Sequence, residues 1–404
     1  MTLPAMPLPR ESEFPFDPPP EYASLRRESP VIRVSCPTGL DAWLVSSYAG
    51  VREVLGDGRR FTARPGQAAH VLAAFDPDAP IDGQFSRMDG PEHIRIRRNF
   101  APQVSHARRI AELRPLVQEI VDEAVDRLAT ARQPFELHIE FSRWITTAVI
   151  AELIGVQPDQ RYLLHDAAMA LFDTQTSPAE LQQALGPLFG YLYGLVTARR
   201  AEPGDDVLSR MIVHSAGGDR PLSDDELVMM NAALLIAGFD TTASLLSHGL
   251  LALLSTPGQW DRLCADPGLA PSATEELVRY LGVGMGLLRQ ATEDTTVEGV
   301  RIAAGDYVVV AVQSANRDPA LHSDADVLDV ARDPGAHIGF GHGAHSCVGQ
   351  QIARIELTTV LSSLATRVPS LRLGQPLSEI PFKTDTVVRG PLELPVVWEK
   401  VLPR

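Results

Sequence analysis

Lysine is almost missing from this 404-residue chain: only Lys383 and Lys400 occur, and arginine supplies nearly all the positive charge. Positive charge is short altogether, with a net of −15 at pH 7. That balance argues against a nucleic-acid partner, whose phosphates need a basic face. Cysteine is scarce too. Cys36, Cys264 and Cys347 are far apart and odd in number, so a reducing compartment is expected and a disulfide framework is not. No run reaches the ~18 apolar residues of a membrane span. Met1 to Arg10 also lacks the charged-then-apolar plan of a signal peptide. These absences lead us to expect a cytoplasmic monomer with no membrane partner. No Ser/Gly-rich linker, long charge run or repeat divides the chain. With 45% hydrophobic residues, residues 1–404 are expected to form one domain around a large core. Residues 1–20, which include Pro18-Pro19-Pro20, are expected to form an extended arm over the surface.

What is present centres on Phe340-Gly341-His342-Gly343-Ala344-His345-Ser346-Cys347-Val348-Gly349. Three glycines in ten residues make a loop that can pass close to something flat and bulky. Ile352, Ile355, Val360 and Leu361 follow at roughly helical spacing, so Cys347 sits where a loop feeds a helix N-terminus. Backbone N–H groups and the helix dipole favour a thiolate there. Such a thiolate can act as nucleophile, zinc ligand or haem ligand.

Other stretches carry chemistry of their own. In Asp89-Gly90-Pro91-Glu92-His93, Pro91 suits a helix start, which places His93 and Arg97 one turn apart on one face. A solvated basic helix face would give the same pattern. Ser223-Asp224-Asp225-Glu226 has the form of a capping box, and the helix it opens could run to about Leu254. At 1.5 Å per residue, some 30 residues span roughly 45 Å. Mid-helix, Gly238 costs about 1 kcal/mol relative to alanine, and Asp240 puts a carboxyl group in apolar surroundings. Thr241 lies one turn from Ala237, on the same face. A close approach of two helices, with Asp240 solvated, would explain the glycine equally well. Val31 to Val34 and Ala42 to Val45 predict a strand pair, Tyr48 to Leu55 a short helix, and Val300 to Val312 a turn-linked strand pair. Residues 108–201 are helical in period, with breaks near Pro134, Pro158 and Thr174–Pro178.

Phe340, Gly343, Cys347 and Gly349 reproduce the Phe-x-x-Gly-x-x-x-Cys-x-Gly signature, so the chain resembles the haem-thiolate monooxygenases, the cytochromes P450. The resemblance implies a mainly α fold with small β-sheets, a long central helix over the haem, and the Cys loop on the proximal side. It implies haem b (iron protoporphyrin IX), with Cys347 as the iron ligand and Phe340 packed near its sulfur. O₂ and electrons derived from NAD(P)H are the implied co-substrates. His93, Arg97, Arg289 and His345 match the family's propionate donors. In Ala-Gly-x-Asp-Thr-Thr, Ala237 and Gly238 would let haem and O₂ approach the helix, and Asp240 and Thr241 would relay protons. Ala233, Ile236, Met285, Leu287 and Val387 would face the substrate, an apolar molecule such as a polyketide, terpenoid or aromatic secondary metabolite. Residues 62–86 would cover that substrate, and the stretch from about Leu171 to Leu185 would form a mobile lid. Glu276, Arg279 and Arg332 would brace the Cys loop.

The chain has no flavin fingerprint and no cysteine cluster for iron–sulfur ligation. Electrons must then come from a separate protein, an acidic ferredoxin or similar, with Arg95, Arg98, Arg108, Arg109 and Arg354 as candidate docking charges. Two other readings remain open here. A peroxygenase on the same fold needs no proton relay, so Asp240 and Thr241 count against it. His337, His342, His345 and Cys347 could instead chelate zinc, although they lack the paired spacing of structural zinc sites.

Overall fold

The computed structural model describes residues 3–8, 15–64, 85–284, 286–333 and 335–404. Its axis is the helix Asp224–Ser255, opened by a reciprocal capping box. The Ser223 hydroxyl accepts from the Glu226 N–H, and the Glu226 carboxylate accepts from the Ser223 N–H at 2.9 Å. Among the described residues it is the one helix long and apolar enough to cross a membrane, yet 72% of its apolar window is buried inside the protein. Four other helices, Trp144–Ile154, Tyr162–Phe172, Pro178–Ala201 and Ala270–Leu281, pack around it. It is apolar on nearly every face because it lies inside the core. Gly155, in the left-handed region at φ 85°, ends the Trp144–Ile154 helix.

Five strands form a sheet in the order Val31–Ser35, Asp41–Val45, Tyr307–Val310, Leu287–Ala291, Phe61–Thr62. The predicted antiparallel pair is there, with Val31 opposite Val45. The strand pair expected over Val300 to Val312 is not. Val300–Ile302 pairs with Thr295–Val297, whereas Tyr307–Val310 lies parallel to Asp41–Val45 and antiparallel to Leu287–Ala291. Asp306 closes the turn between them onto Ala303, and its carboxylate also accepts from Trp43 Nε1 at 2.8 Å, which ties the start of the second strand to the larger sheet.

The N-terminal arm is anchored rather than draped. Met6 N–H donates to Ser35 O at 3.0 Å. Further along, the wholly buried Arg317 donates to Phe16 O at 3.0 Å, and buried His248 bonds Pro15 O at 2.7 Å.

Candidate active site

The Cys loop is shaped by its glycines and by what it packs against. Gly341 and Gly343 sit in the left-handed region at φ 76° and 72°. A Cβ on Gly343 would also run into the Leu55 carbonyl oxygen, so the loop lies directly on the helix Tyr48–Gly56. Cys347 N–H donates to Phe340 O at 2.8 Å and closes the loop. The Cys347 residue is exposed at the start of the helix Gln350–Arg367. The dense protein around its sulfur pushes the thiol pKa up. The N–H groups of Gly349 and Gln350, with Arg97 and Arg354, oppose that rise without reversing it. The expected thiolate is therefore not produced by the peptide surroundings alone.

Phe340 is held from its far side. Arg354 lies over its ring at 4.5 Å and is clamped by Glu275 at 2.5 and 2.9 Å, while His337 takes the same carboxylate at 2.9 Å. Burial would raise the Glu275 pKa, but His337 and Arg354 outweigh it and bring it to about 2. Arg354 is a loop brace, not a docking charge. Two other candidates are also spoken for: Arg95 is bound to Glu226 and Glu92, and the side chain of Arg109 is mostly buried beside Glu112. Arg108 is exposed and pairs with Glu112 at 3.2 Å. Arg98 is exposed with no carboxylate partner among the described residues.

The helix Gly90–Ser105 carries His93 and Arg97 to the loop. Arg97 donates to Ser346 O at 2.7 Å, one residue from the cysteine. His93 stacks on His345 at 4.2 Å, and its Nε2 is buried without a hydrogen-bond partner. Desolvation, helped by the neighbouring positive groups, lowers the His93 pKa to about 4. Arg289, nearly buried, donates to Leu288 O at 2.8 Å. Desolvation lowers the pKa of both Arg97 and Arg289, and neither meets a carboxylate among the described residues. His345 does meet one. It bonds Asp89 at 3.0 Å, and Asp89 also holds Thr62 Oγ1 and Ala63 N–H. Sequence reasoning missed Asp89, although it stands one residue before the Gly90-Pro91 helix start.

The middle of the central helix is open on one narrow face. Ala237 is exposed and Ala233 and Thr241 are half-buried, in a stretch from Asn231 to Leu253 that is otherwise buried apart from half-buried Gly238. Thr241 Oγ1 donates to Ala237 O at 2.6 Å. Gly238 does not share that face. A Cβ there would meet Ile150 at 3.2 Å, so Gly238 serves the close approach of the Trp144–Ile154 helix. Asp240 is not in apolar surroundings either. Its carboxylate accepts from Arg143 at 3.0 Å and from Lys383 at 2.7 Å, and Ser244 lies 3.4 Å away. Burial would raise the Asp240 pKa, but the two cations outweigh it and hold it below the usual carboxylate value. Arg143 and Lys383 escaped the sequence reading; the rarity of lysine was the one signal that could have flagged Lys383.

Of the residues expected to face substrate, Leu287 is 40% exposed and Val387 half-buried, whereas Ile236 is packed into the core at 5% exposure. Met285 lies outside the described residues, as does 65–84 of the expected cover. The expected lid resolves into the end of Tyr162–Phe172, a connection, and the start of Pro178–Ala201. The zinc reading fails on geometry: His337 and His345 are turned to separate carboxylates, and among the described residues no three His, Cys, Asp or Glu side chains gather to hold a metal.

The cytochrome P450 family model matches residues 269–369. Nocardicin C N-oxygenase of Nocardia uniformis subsp. tsuyamanensis is 39% identical over 94% of this chain and 95% of its own length. Mycinamicin IV hydroxylase/epoxidase of Micromonospora griseorubida is 40% identical over 93% of this chain and 94% of its own. The structure of CYP105P1 in complex with filipin I superimposes with a TM-score of 0.92 at 38% identity, covering 98% of this chain and 99% of that one. The chain belongs to the cytochrome P450 family of monooxygenases.

Proposed function

We propose that this enzyme inserts one oxygen atom of O₂ into a bulky apolar secondary metabolite, with haem b that would be held through the Cys347 sulfur. The observation that carries the reading is the exposed residue Cys347 on a loop bonded by half-buried Arg97, together with buried Arg289, neither guanidinium meeting a carboxylate among the described residues. Uncompensated buried charge is unfavourable unless an anion arrives to pair with it. Haem fits, because its two propionates would pair with Arg97 and Arg289 and its iron would take the sulfur. His93 Nε2, buried and unpartnered, adds a further donor. When bound, haem supplies the O₂ chemistry, and its thiolate ligand pushes electron density onto iron.

The residues around it have separate tasks. Metal binding would remove the thiol proton that burial now favours. Gly349 and Gln350 N–H groups would moderate the sulfur's charge. Thr241, on the open face of the central helix, would hold the proton needed on the O₂ side. Asp240 would feed that position, kept ionised by Arg143 and Lys383. An open groove of about 780 Å³, lined by exposed Ile94, Arg98, Gly343 and Ala344 and half-buried Ala101, lies beside the loop. Its free guanidinium and apolar floor suit an acidic ferredoxin delivering electrons. The relatives' names span nocardicin C and mycinamicin IV, so a class of metabolite is supported rather than one scaffold.

Two measurements test this. Thr241→Ala keeps a good helix former, so fold, haem content and substrate affinity should hold. Product formed per NAD(P)H oxidised should fall several-fold, on the order of 1 kcal/mol in partitioning, with peroxide rising in step. Unchanged coupling would remove Thr241 from proton delivery. Second, each charge-assisted bond to a propionate contributes about 1.5–3 kcal/mol. The Arg97→Ala/Arg289→Ala double variant should therefore purify with little haem, and full haem content would overturn the placement of both.

A further inference from the structure

Asp89 stands at the start of the helix Gly90–Ser105, where an aspartate ordinarily accepts from the free N–H groups of its own helix. Here it makes no such bond. Its carboxylate is turned across to two other elements. Oδ1 meets His345 Nε2, in the Cys loop, at 3.0 Å. Oδ2 accepts from the Ala63 N–H at 2.9 Å and from the Thr62 hydroxyl, at the end of the strand Phe61–Thr62. Asp89 thus forgoes the stabilisation of a helix cap for partners 26, 27 and 256 residues away.

Each of the three elements joined in this way serves the haem site. The helix Gly90–Ser105 brings His93 and Arg97. The strand Phe61–Thr62 pairs with Leu287–Ala291, and Thr62 lies opposite Gln290, the neighbour of Arg289. The loop brings Cys347, and its His345 is the ring on which His93 stacks at 4.2 Å. That stack fixes the plane of His93, whose Nε2 is the buried atom without a partner.

Charge alone would not place a carboxylate here. Burial would raise the Asp89 pKa, but the bonds from His345 and Thr62 outweigh it and bring it to about 2, so the group is ionised. Its charge is felt at both His93 and Arg289, and an anion so close to these donors repels the propionates they would bind. Geometry accounts for it instead. Donors fixed before a ligand arrives lose less freedom when they bind it.

We propose that Asp89 is a positioning residue of the haem site, locking the Gly90–Ser105 helix, the Cys loop and the strand beside Arg289 into one frame. Through His345 and Thr62 it sets His93, Arg97 and Arg289 in place for the two propionates. The proposal rests on the reading of Arg97 and Arg289 as propionate partners.

The test follows the rate at which the ferric holoenzyme loses haem to excess apomyoglobin. Asp89→Asn keeps the size of the side chain but removes the charge and weakens its bonds. Release should quicken about tenfold, the worth of one charge-assisted hydrogen bond. Thr62→Val removes a single bond, should quicken release about threefold, and carries the test if Asp89→Asn does not fold. A pure charge effect has the opposite sign, because an anion taken from beside the propionates slows release. Slower or unchanged release in the variant that folds overturns the proposal. A merely structural loss is separated by changing the background. His345→Phe keeps a flat ring beside His93 and cannot bond Asp89, so adding Asp89→Asn there should quicken release no more than about threefold. A full tenfold step in that background would mean general destabilisation, and the proposal falls. The Arg97→Ala/Arg289→Ala variant reports on the reading beneath it. Full haem content there removes that reading and the role of Asp89 with it. Haem loss there, with wild-type release in Asp89→Asn and Thr62→Val, removes the role of Asp89 alone.

Discussion

Replacing Cys347 by serine is expected to leave a folded protein that no longer oxygenates anything. Serine keeps the shape of the side chain and every backbone bond that builds the loop. The N–H still reaches Phe340 O, Gly343 still lies on Leu55, and Arg354 still covers Phe340. What is lost is the soft ligand whose electron donation favours O–O cleavage. The hydroxyl oxygen that replaces it is a far weaker base toward iron. Product formation should drop to the uncatalysed background, and the red-shifted Soret band of the reduced, CO-bound family should be absent. Haem retention should fall less, because Arg97 and Arg289 remain. A reduced-CO spectrum like that of wild type in Cys347→Ser would mean that another residue ligates the iron.

The sequence made local features legible and left most long-range partnerships hidden. The capping box at Ser223 and the Pro91 helix start depend on neighbours within four residues, and both form as read. The glycines at 341 and 343 announce positive φ through the missing Cβ, and the structure puts them there. Gly238 carried the same signal with the opposite use. A mid-helix glycine says that something comes close, and only the packing reveals that it is Ile150. Asp240 was misjudged because its partners lie 97 and 143 residues away in the chain. Apolar neighbours in sequence therefore said nothing of its surroundings in space. Arg354 and Arg95 failed as docking charges for a related reason: Glu275 and Glu226 reach them from other helices.

Glu276→Ala should be the most destabilising single change outside the haem site. Glu276 and Arg279 are both 0% exposed and are joined by two hydrogen bonds of 2.7 and 2.9 Å. Arg332 adds a third contact to the same carboxylate at 3.2 Å, and Asp329 N–H a fourth at 3.0 Å. Alanine would leave two guanidinium groups facing each other with nothing between them. Breaking a buried pair by removing one partner costs about 3–5 kcal/mol. A protein's whole stability is about 5–15 kcal/mol, so this one change consumes a large share of it. The loss would not stay local. Arg279 also donates to Asn316 O at 2.9 Å, and Asn316 Oδ1 accepts from Ile338 N–H at 2.8 Å, two residues before Phe340. The cluster thus supports the entry to the Cys loop, and loosening it should loosen the sulfur. Glu276→Ala should therefore lose haem on mild heating and show a heterogeneous reduced-CO spectrum. Glu276→Gln, which keeps the acceptor oxygen but not the charge, should fall between the two. Thermal melting followed at the haem band, across wild type, Gln and Ala, measures the order. If alanine and wild type melted together, the pair would be a bystander and the loop would owe its shape to the glycines and Arg354 alone.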